Sequence, residues 1–237
     1  MSKKAFHHEA KFHDDTKLHE AKLHYDALDH DETIRQTSYD LKELRKAMKE
    51  AQSSKRFEHT KGVEYTSAAL AMRYGASMED ALAAGLLHDC AKCLPDDKQL
   101  SICEKHKLFV TDAEKKNPFL LHSKVGAYLA EHKYGVTNQD VLNAIRNHTT
   151  GRQGMSLLEK IVFVADYIEP GRKEAANLTH IRKLAFEDLD KALLKILEDT
   201  LKYLEESGSE MDPRTHETWE YYHNLYNNKI GEDYGKK

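Results

Sequence analysis

The chain has 237 residues, enough to bury a sizeable core as one large or two small domains, and its few glycines (11) and prolines (4) suit an all-helical protein. A net charge of -4 with 32% charged residues argues against a nucleic-acid partner, which usually requires a basic surface. No run approaches 18 apolar residues and the start lacks an apolar signal core, so no membrane partner is expected; three cysteines, Cys90, Cys93 and Cys103, cannot all pair and suit a reducing, cytoplasmic location.

Residues 1 to about 31 hold six of the 15 histidines: His7, His8, His13, His19, His24 and His30. Leu18, Ala21, Tyr25 and Leu28 would form only a thin apolar stripe on a helix. Metal capture or partner docking is one reading of this stretch, and a solvated leader is the simpler one. The expected division is therefore a polar, histidine-rich leader over 1–38, partly helical or disordered, and one domain over 39–230.

From Thr37 to about Lys55, Leu41, Leu44, Met48 and Ala51 recur at helical spacing. A small-residue helix follows through Val63, Ala69 and Leu70 and ends near Gly75. Ser77-Met78-Glu79-Asp80 resembles a capping box and opens the helix that carries His88-Asp89. Three His-Asp steps occur, at His13, His30 and His88, but only the last follows an apolar run, Ala81 to Leu87. Pro95 breaks the chain and opens a short helix to about His106, and Thr111-Asp112-Ala113-Glu114 opens a further turn.

Asn117-Pro118 then starts an apolar helix to about Ala130, with His122 near its beginning. Thr137-Asn138-Gln139-Asp140 caps Val141 to about His148. Ser156-Leu157-Leu158-Glu159 is a capping box for the most hydrophobic helix, Ile161 to Ile168, which Glu169-Pro170-Gly171-Arg172 stops. Leu178 to about Ser207 reads as one long amphipathic helix. Asp212-Pro213 starts the last helix, with Trp219, Tyr222, Leu225 and Tyr226, and the tail from Gly231 is expected to fray. Core packing explains the Tyr221-Tyr222 pair better than adenine stacking does. Cys90-Ala91-Lys92-Cys93 lacks a second cysteine pair and reads as incidental.

His59, His88, Asp89, His122, His148 and Asp166 each lie in or at the edge of an apolar helical segment. A single histidine so placed is usually a satisfied structural residue. Asp166 is harder to explain, because a buried aspartate costs several kcal/mol unless paired or coordinated. Spacing alone does not bring the six together.

His59, His88-Asp89 and Asp166 resemble the metal-binding pattern of the HD-domain phosphohydrolase superfamily, and His122 and His148 resemble the added ligands of its two-metal members. Leu87-His88-Asp89-Cys90-Ala91-Lys92, His148-Thr149-Thr150-Gly151-Arg152 and Ala165-Asp166-Tyr167-Ile168-Glu169-Pro170-Gly171-Arg172 are similar to the YqeK family of symmetrical bis(5'-nucleosyl)-tetraphosphatases. The resemblance spans about residues 40 to 228.

It implies an all-α HD-domain bundle that cleaves a dinucleoside tetraphosphate, such as diadenosine tetraphosphate, into two ADP. It also implies two metal ions: His59, His88, Asp89 and Asp166 on one, with Asp89 bridging to a second held by His122 and His148. The family implies iron, while imidazoles and carboxylates equally suit manganese, nickel or zinc. Asp89, Lys92 and Arg152 are the expected catalytic residues, and Lys92, Arg152 and Arg172 the expected phosphate contacts, each weighed against a plain surface charge. ADP leaves readily, so no dedicated general acid is named. A homodimer is compatible with the resemblance. The alternatives are an HD-domain phosphatase or phosphodiesterase for another nucleotide, and a non-catalytic nucleotide-sensing module.

Overall fold

Short polar residues between the apolar runs cap the helices and so set where each begins. The computed structural model describes residues 39–209 and 211–235, and among these there are eleven α-helices, one 3-10 turn and no strand. The expected all-α class is what the structure has. The histidine-rich leader lies outside the described residues. No described helix is long and apolar enough to cross a membrane.

Asp40 accepts the Glu43 N–H at 3.0 Å and opens α1, Leu41–Ala51. The helix expected from Thr37 to about Lys55 thus ends a few residues early, and the small-residue helix expected after it starts correspondingly sooner. Gln52 turns extended (φ -116°, ψ 154°), Ser53 caps a second start, and α2 runs Ser54–Tyr74. Gly75, at φ 73°, ends α2 as expected.

Ser77 caps α3, Met78–Leu87, by accepting the Asp80 N–H. The helix stops one residue short of His88, and the chain continues in tight turns through Lys92. In these turns Cys90 N–H donates to Leu87 O and Lys92 N–H to Asp89 O, each at 3.0 Å. α3 packs along α2. Gly85 permits that approach, since a Cβ there would lie 2.9 Å from Glu64 Cα and 3.0 Å from the Val63 carbonyl.

α4 is Asp96–Lys105 and α5 is Asp112–Lys116, the latter opened by a Thr111/Glu114 capping box. A 3-10 turn at Pro118–Leu120 precedes α6, Leu121–His132. α7 is Gln139–Asn147, and the Ser156/Glu159 capping box opens α8, Leu157–Ile168.

The long helix expected over Leu178–Ser207 is two, α9 (Leu178–Glu187) and α10 (Leu189–Ser207). Asp188 makes the break. Its N–H closes α9 on the Leu184 carbonyl at 2.8 Å, and its carboxylate accepts the Lys191 N–H at 3.0 Å to open α10. α11 is Pro213–Gly235. Tyr222 is buried there and its hydroxyl accepts the Met155 N–H, which bears out core packing for that side chain.

α3 and α8 lie deepest: Ala81, Ala83, Leu86 and Leu87 of α3 and Ile161, Val162, Val164 and Ala165 of α8 are fully buried. A smaller apolar cluster of Ala91, Cys103, Leu121 and Val125 joins α4 to α6. The C-terminal ends of α3, α7 and α8 and the start of α6 meet at α2, and there the candidate ligands collect.

Candidate metal centre

The six residues reach one place from five helices. His59 comes from α2, His88 and Asp89 from the turn after α3, His122 from the first turn of α6, His148 from the end of α7 and Asp166 from α8. His88, Asp89, His122 and His148 are buried.

Asp89 stands between two pairs of histidines. Its Oδ2 lies 3.4 Å from His88 Nε2 and 3.8 Å from His59 Nε2. Its Oδ1 lies 3.4 Å from His122 Nε2 and 3.5 Å from His148 Nε2. Asp166 completes the first side, with Oδ1 at 3.1 Å from His59 Nε2 and 4.0 Å from His88 Nε2. The donor atoms of His59, His88 and Asp166 all lie within 4.8 Å of one another, and so do those of His88, Asp89 and His148.

The tautomers of three histidines are set locally. Nδ1 of His88, His122 and His148 each faces the carbonyl three residues earlier, at 2.7, 2.6 and 2.8 Å. Those contacts require Nδ1–H, so each Nε2 presents a lone pair inward. His59 uses a carboxylate instead: its Nδ1 donates to Glu169 Oε1 at 3.2 Å. Glu169 is itself buried and held by the Gly171 N–H. A Cβ at Gly62 would come within 2.4 Å of Glu169 Oε2, so Gly62 makes room for it.

Facing lone pairs repel one another, and a cation between them relieves that. The Nε2 atoms of His59 and His88 are 3.3 Å apart, and those of His122 and His148 are 3.2 Å apart. Two ligands each about 2.1 Å from one ion sit about 3.0 Å apart in a right-angled arrangement and about 3.4 Å in a tetrahedral one. The observed spacings fall in that range, so the residues fit a metal.

The electrostatics agree. Burial would raise the Asp89 carboxyl, but His88 and His148 outweigh it and hold Asp89 well below the usual carboxylate range. Burial likewise opposes ionisation of Asp166, and the His59 hydrogen bond, with His88 and Arg172, overcomes it. Burial, the His148 ring and the Lys92 charge push His122 down to about 3, which keeps its imidazole neutral and able to ligate.

Three cations touch these groups. Arg172 Nη2 donates to both the carbonyl and Oδ1 of Asp166, at 2.7 and 2.9 Å, and its buried Nε–H has no partner among the described residues. Lys92 Nζ sits 3.2 Å from both nitrogens of His122 and 3.4 Å from the Phe119 ring centre, a cation held between two rings. Burial brings Lys92 down to about 8. Arg56 Nη1 donates to Asp89 Oδ2 at 2.8 Å.

Arg152 has a different partner. It forks onto buried Glu159 at 2.7 and 2.6 Å, and no described hydrogen bond or ion pair joins it to a candidate ligand. Glu159 also accepts Asn147 Nδ2 and the Ser156 N–H, each at 2.7 Å.

Sequence reasoning passed over Arg56, Glu169, Thr149 and Gln52. Thr149 Oγ1 lies 3.1 and 3.2 Å from the Nε2 atoms of His122 and His148. Gln52 Nε2 donates to the Asp89 carbonyl. Arg56 stands three residues before His59 on one helix, and Glu169 three after Asp166; that spacing was the available signal.

The HD domain family matches residues 56–171 of this chain. The symmetrical bis(5'-nucleosyl)-tetraphosphatase of Bacillus subtilis is 40% identical over 176 residues, covering 73% of this chain and 92% of that protein. The protein of the same name from Staphylococcus aureus is 33% identical over 195 residues, covering 81% and 99%. A crystal structure of a predicted HD superfamily hydrolase involved in NAD metabolism, from Clostridium acetobutylicum, superposes with a TM-score of 0.76 at 40% identity, over 79% of this chain and 98% of that one.

Proposed function

Because the chain belongs to the HD-domain family of symmetrical bis(5'-nucleosyl)-tetraphosphatases, we propose that it hydrolyses dinucleoside tetraphosphates at the central bridge, giving two nucleoside diphosphates. The observation that carries the reading is Asp89, which turns one carboxylate oxygen toward each pair of histidines. His59, His88, Asp89 and Asp166 would hold one ion, and Asp89, His122 and His148 a second. Bound there, two ions would supply a water with its pKa lowered toward about 7 and positive charge for the phosphoryl oxygens. Iron is our choice of metal; the donor set admits manganese, nickel or zinc as well.

The chain's own residues do the rest. Arg56 and Arg172 fix the carboxylates of Asp89 and Asp166 and keep further N–H groups for phosphate oxygens. Lys92 adds a positive charge on the His122 side. Glu169 holds His59 by its outer nitrogen, so the inner one stays directed at the centre. The Cys90 and Cys103 thiols are buried and free, and Cys93 is exposed and free, which supports a reducing, cytoplasmic setting.

The test is product analysis. Incubating purified protein with diadenosine tetraphosphate and added iron or manganese is expected to give ADP alone. AMP with ATP would move the attacked phosphorus off the centre of the bridge. No turnover with iron, manganese, nickel or zinc would overturn the reading.

A further inference from the structure

A groove runs outward from the His59 side of the centre along one face of α2. Lys55, His59, Gly62, Tyr65 and Ala69 line it at three- and four-residue steps. From His59 to Ala69 the helix rises about 15 Å. The opposite walls come from the 167–176 segment and from α9 and α10, including Lys173, Phe186 and Tyr203. The cavity measures about 1790 Å³. That exceeds the roughly 300–1,000 Å³ of pockets for drug-sized molecules and suits a longer ligand.

The chemistry of the lining is graded. At the inner end Arg56, His59 and Arg172 belong to both the groove and the centre. Lys55 and Lys173 stand exposed beside them and form no ion pair among the described residues. Farther along, the lining turns aromatic. Tyr65 is 57% exposed, Tyr203 67% and Phe186 40%, so none of these rings is committed to the core. Arg73 bonds the Phe186 carbonyl at 2.7 Å, which places Phe186 near the C-terminal end of α2, away from the centre. Arg45 stands 6.0 Å over the Tyr65 ring centre, so that ring already holds a cation near one face. Cations near the candidate ligands and part-exposed aromatic rings beyond them match a ligand with phosphates at one end and a flat base at the other.

Resting on the hydrolase reading, we infer that this groove holds one nucleoside end of the substrate, with Tyr65 and Tyr203 as the rings on which the base stacks. Base–aromatic stacking tolerates any base, because every base has a π-face. The groove therefore sets how tightly the dinucleotide is held and leaves the purine unselected.

The experiment compares Tyr65→Ala, Tyr203→Ala and the corresponding phenylalanine variants in the metal-loaded protein. One readout is steady-state hydrolysis of diadenosine tetraphosphate, and the other is ADP binding by calorimetry. Each alanine variant should raise KM and weaken ADP binding about five- to a hundredfold, with kcat little changed, and phenylalanine should restore both. Unchanged KM and ADP affinity in both alanine variants would overturn the inference, as would wild-type protein that binds no ADP. Wild-type protein that binds ADP through these tyrosines but hydrolyses no tetraphosphate would sink the hydrolase reading alone.

Discussion

At Asp89 one side chain faces both halves of the candidate centre, with Oδ2 beside His59 and His88 and Oδ1 beside His122 and His148. Asp89→Ala removes both oxygens and frees Arg56 among the histidines. Turnover should vanish, and elemental analysis should find less than one ion per chain; near-normal metal would sink the dinuclear assignment. Arg152→Ala probes a residue that the sequence resemblance placed on phosphate and the structure places on Glu159. Its loss strands a buried carboxylate on Asn147 and one backbone N–H. For a part-exposed pair that costs about 1–3 kcal/mol and lowers Tm by several degrees. KM should stay within about twofold. A large rise in KM at unchanged Tm would return Arg152 to the phosphates. The six candidate ligands stood out in the sequence because each is a polar group embedded in an apolar segment. Arg56, Thr149 and Glu169 did not, because they sit at helix ends, where charged and hydroxyl side chains are already accounted for by capping and chain reversal.

Among the elements, the contact of α3 on α2 depends on Gly85. Replacing a helical glycine by alanine ordinarily gains about 0.5–1 kcal/mol. Here the new methyl would meet the backbone of Glu64 and Val63 at 2.9–3.0 Å, and backbone has no rotamer with which to yield. Overpacking of that kind costs about 1–3 kcal/mol, so the clash outweighs the gain and Gly85→Ala should lower Tm. The shift should also reach the centre, since the Gly85 carbonyl holds His88 Nδ1 at 2.7 Å. Weaker metal retention is therefore expected alongside, and a variant more stable than wild type would show that the helices can separate. Helix type and order were legible from apolar periodicity and caps, as at Ser77 and Ser156. The break at Asp188 was not, because it interrupts a helix whose apolar spacing continues on either side, and periodicity ran through it. Extended backbone at Asp188 and its cap bond to the Lys191 N–H decided otherwise. The first boundary was displaced by a few residues, since extended Gln52 and the Ser53 cap end α1 before Lys55.

For the whole molecule, one source of acid sensitivity lies where the last helix is tied to the body. Buried Glu114 accepts Lys124 Nζ at 2.7 Å, Arg214 Nη2 at 2.9 Å and the Thr111 N–H at 2.8 Å, linking α5, α6 and α11. Arg214 also pairs with buried Asp212 at 2.7 Å. Burial by itself would raise both carboxyls. The Lys124 and Thr111 bonds with the Arg214 charge overcome it at Glu114, and Arg214 overcomes it at Asp212, so both lie below their ordinary 4.5 and 3.8. A carboxyl whose pKa is depressed on folding contributes stability that is fully present above its unfolded value and is lost as pH falls through its folded value. Stability should therefore hold from neutral pH to about 5 and fall steeply below 4.5. Urea unfolding of wild type and Glu114→Gln across that range reads the effect. The glutamine variant should be less stable at pH 7, because it leaves Lys124 and Arg214 without their shared anion. It should lose less on acidification, so the two curves converge toward pH 3. Curves that stay parallel would move the acid sensitivity to other carboxylates and leave the Glu114 cluster as packing alone.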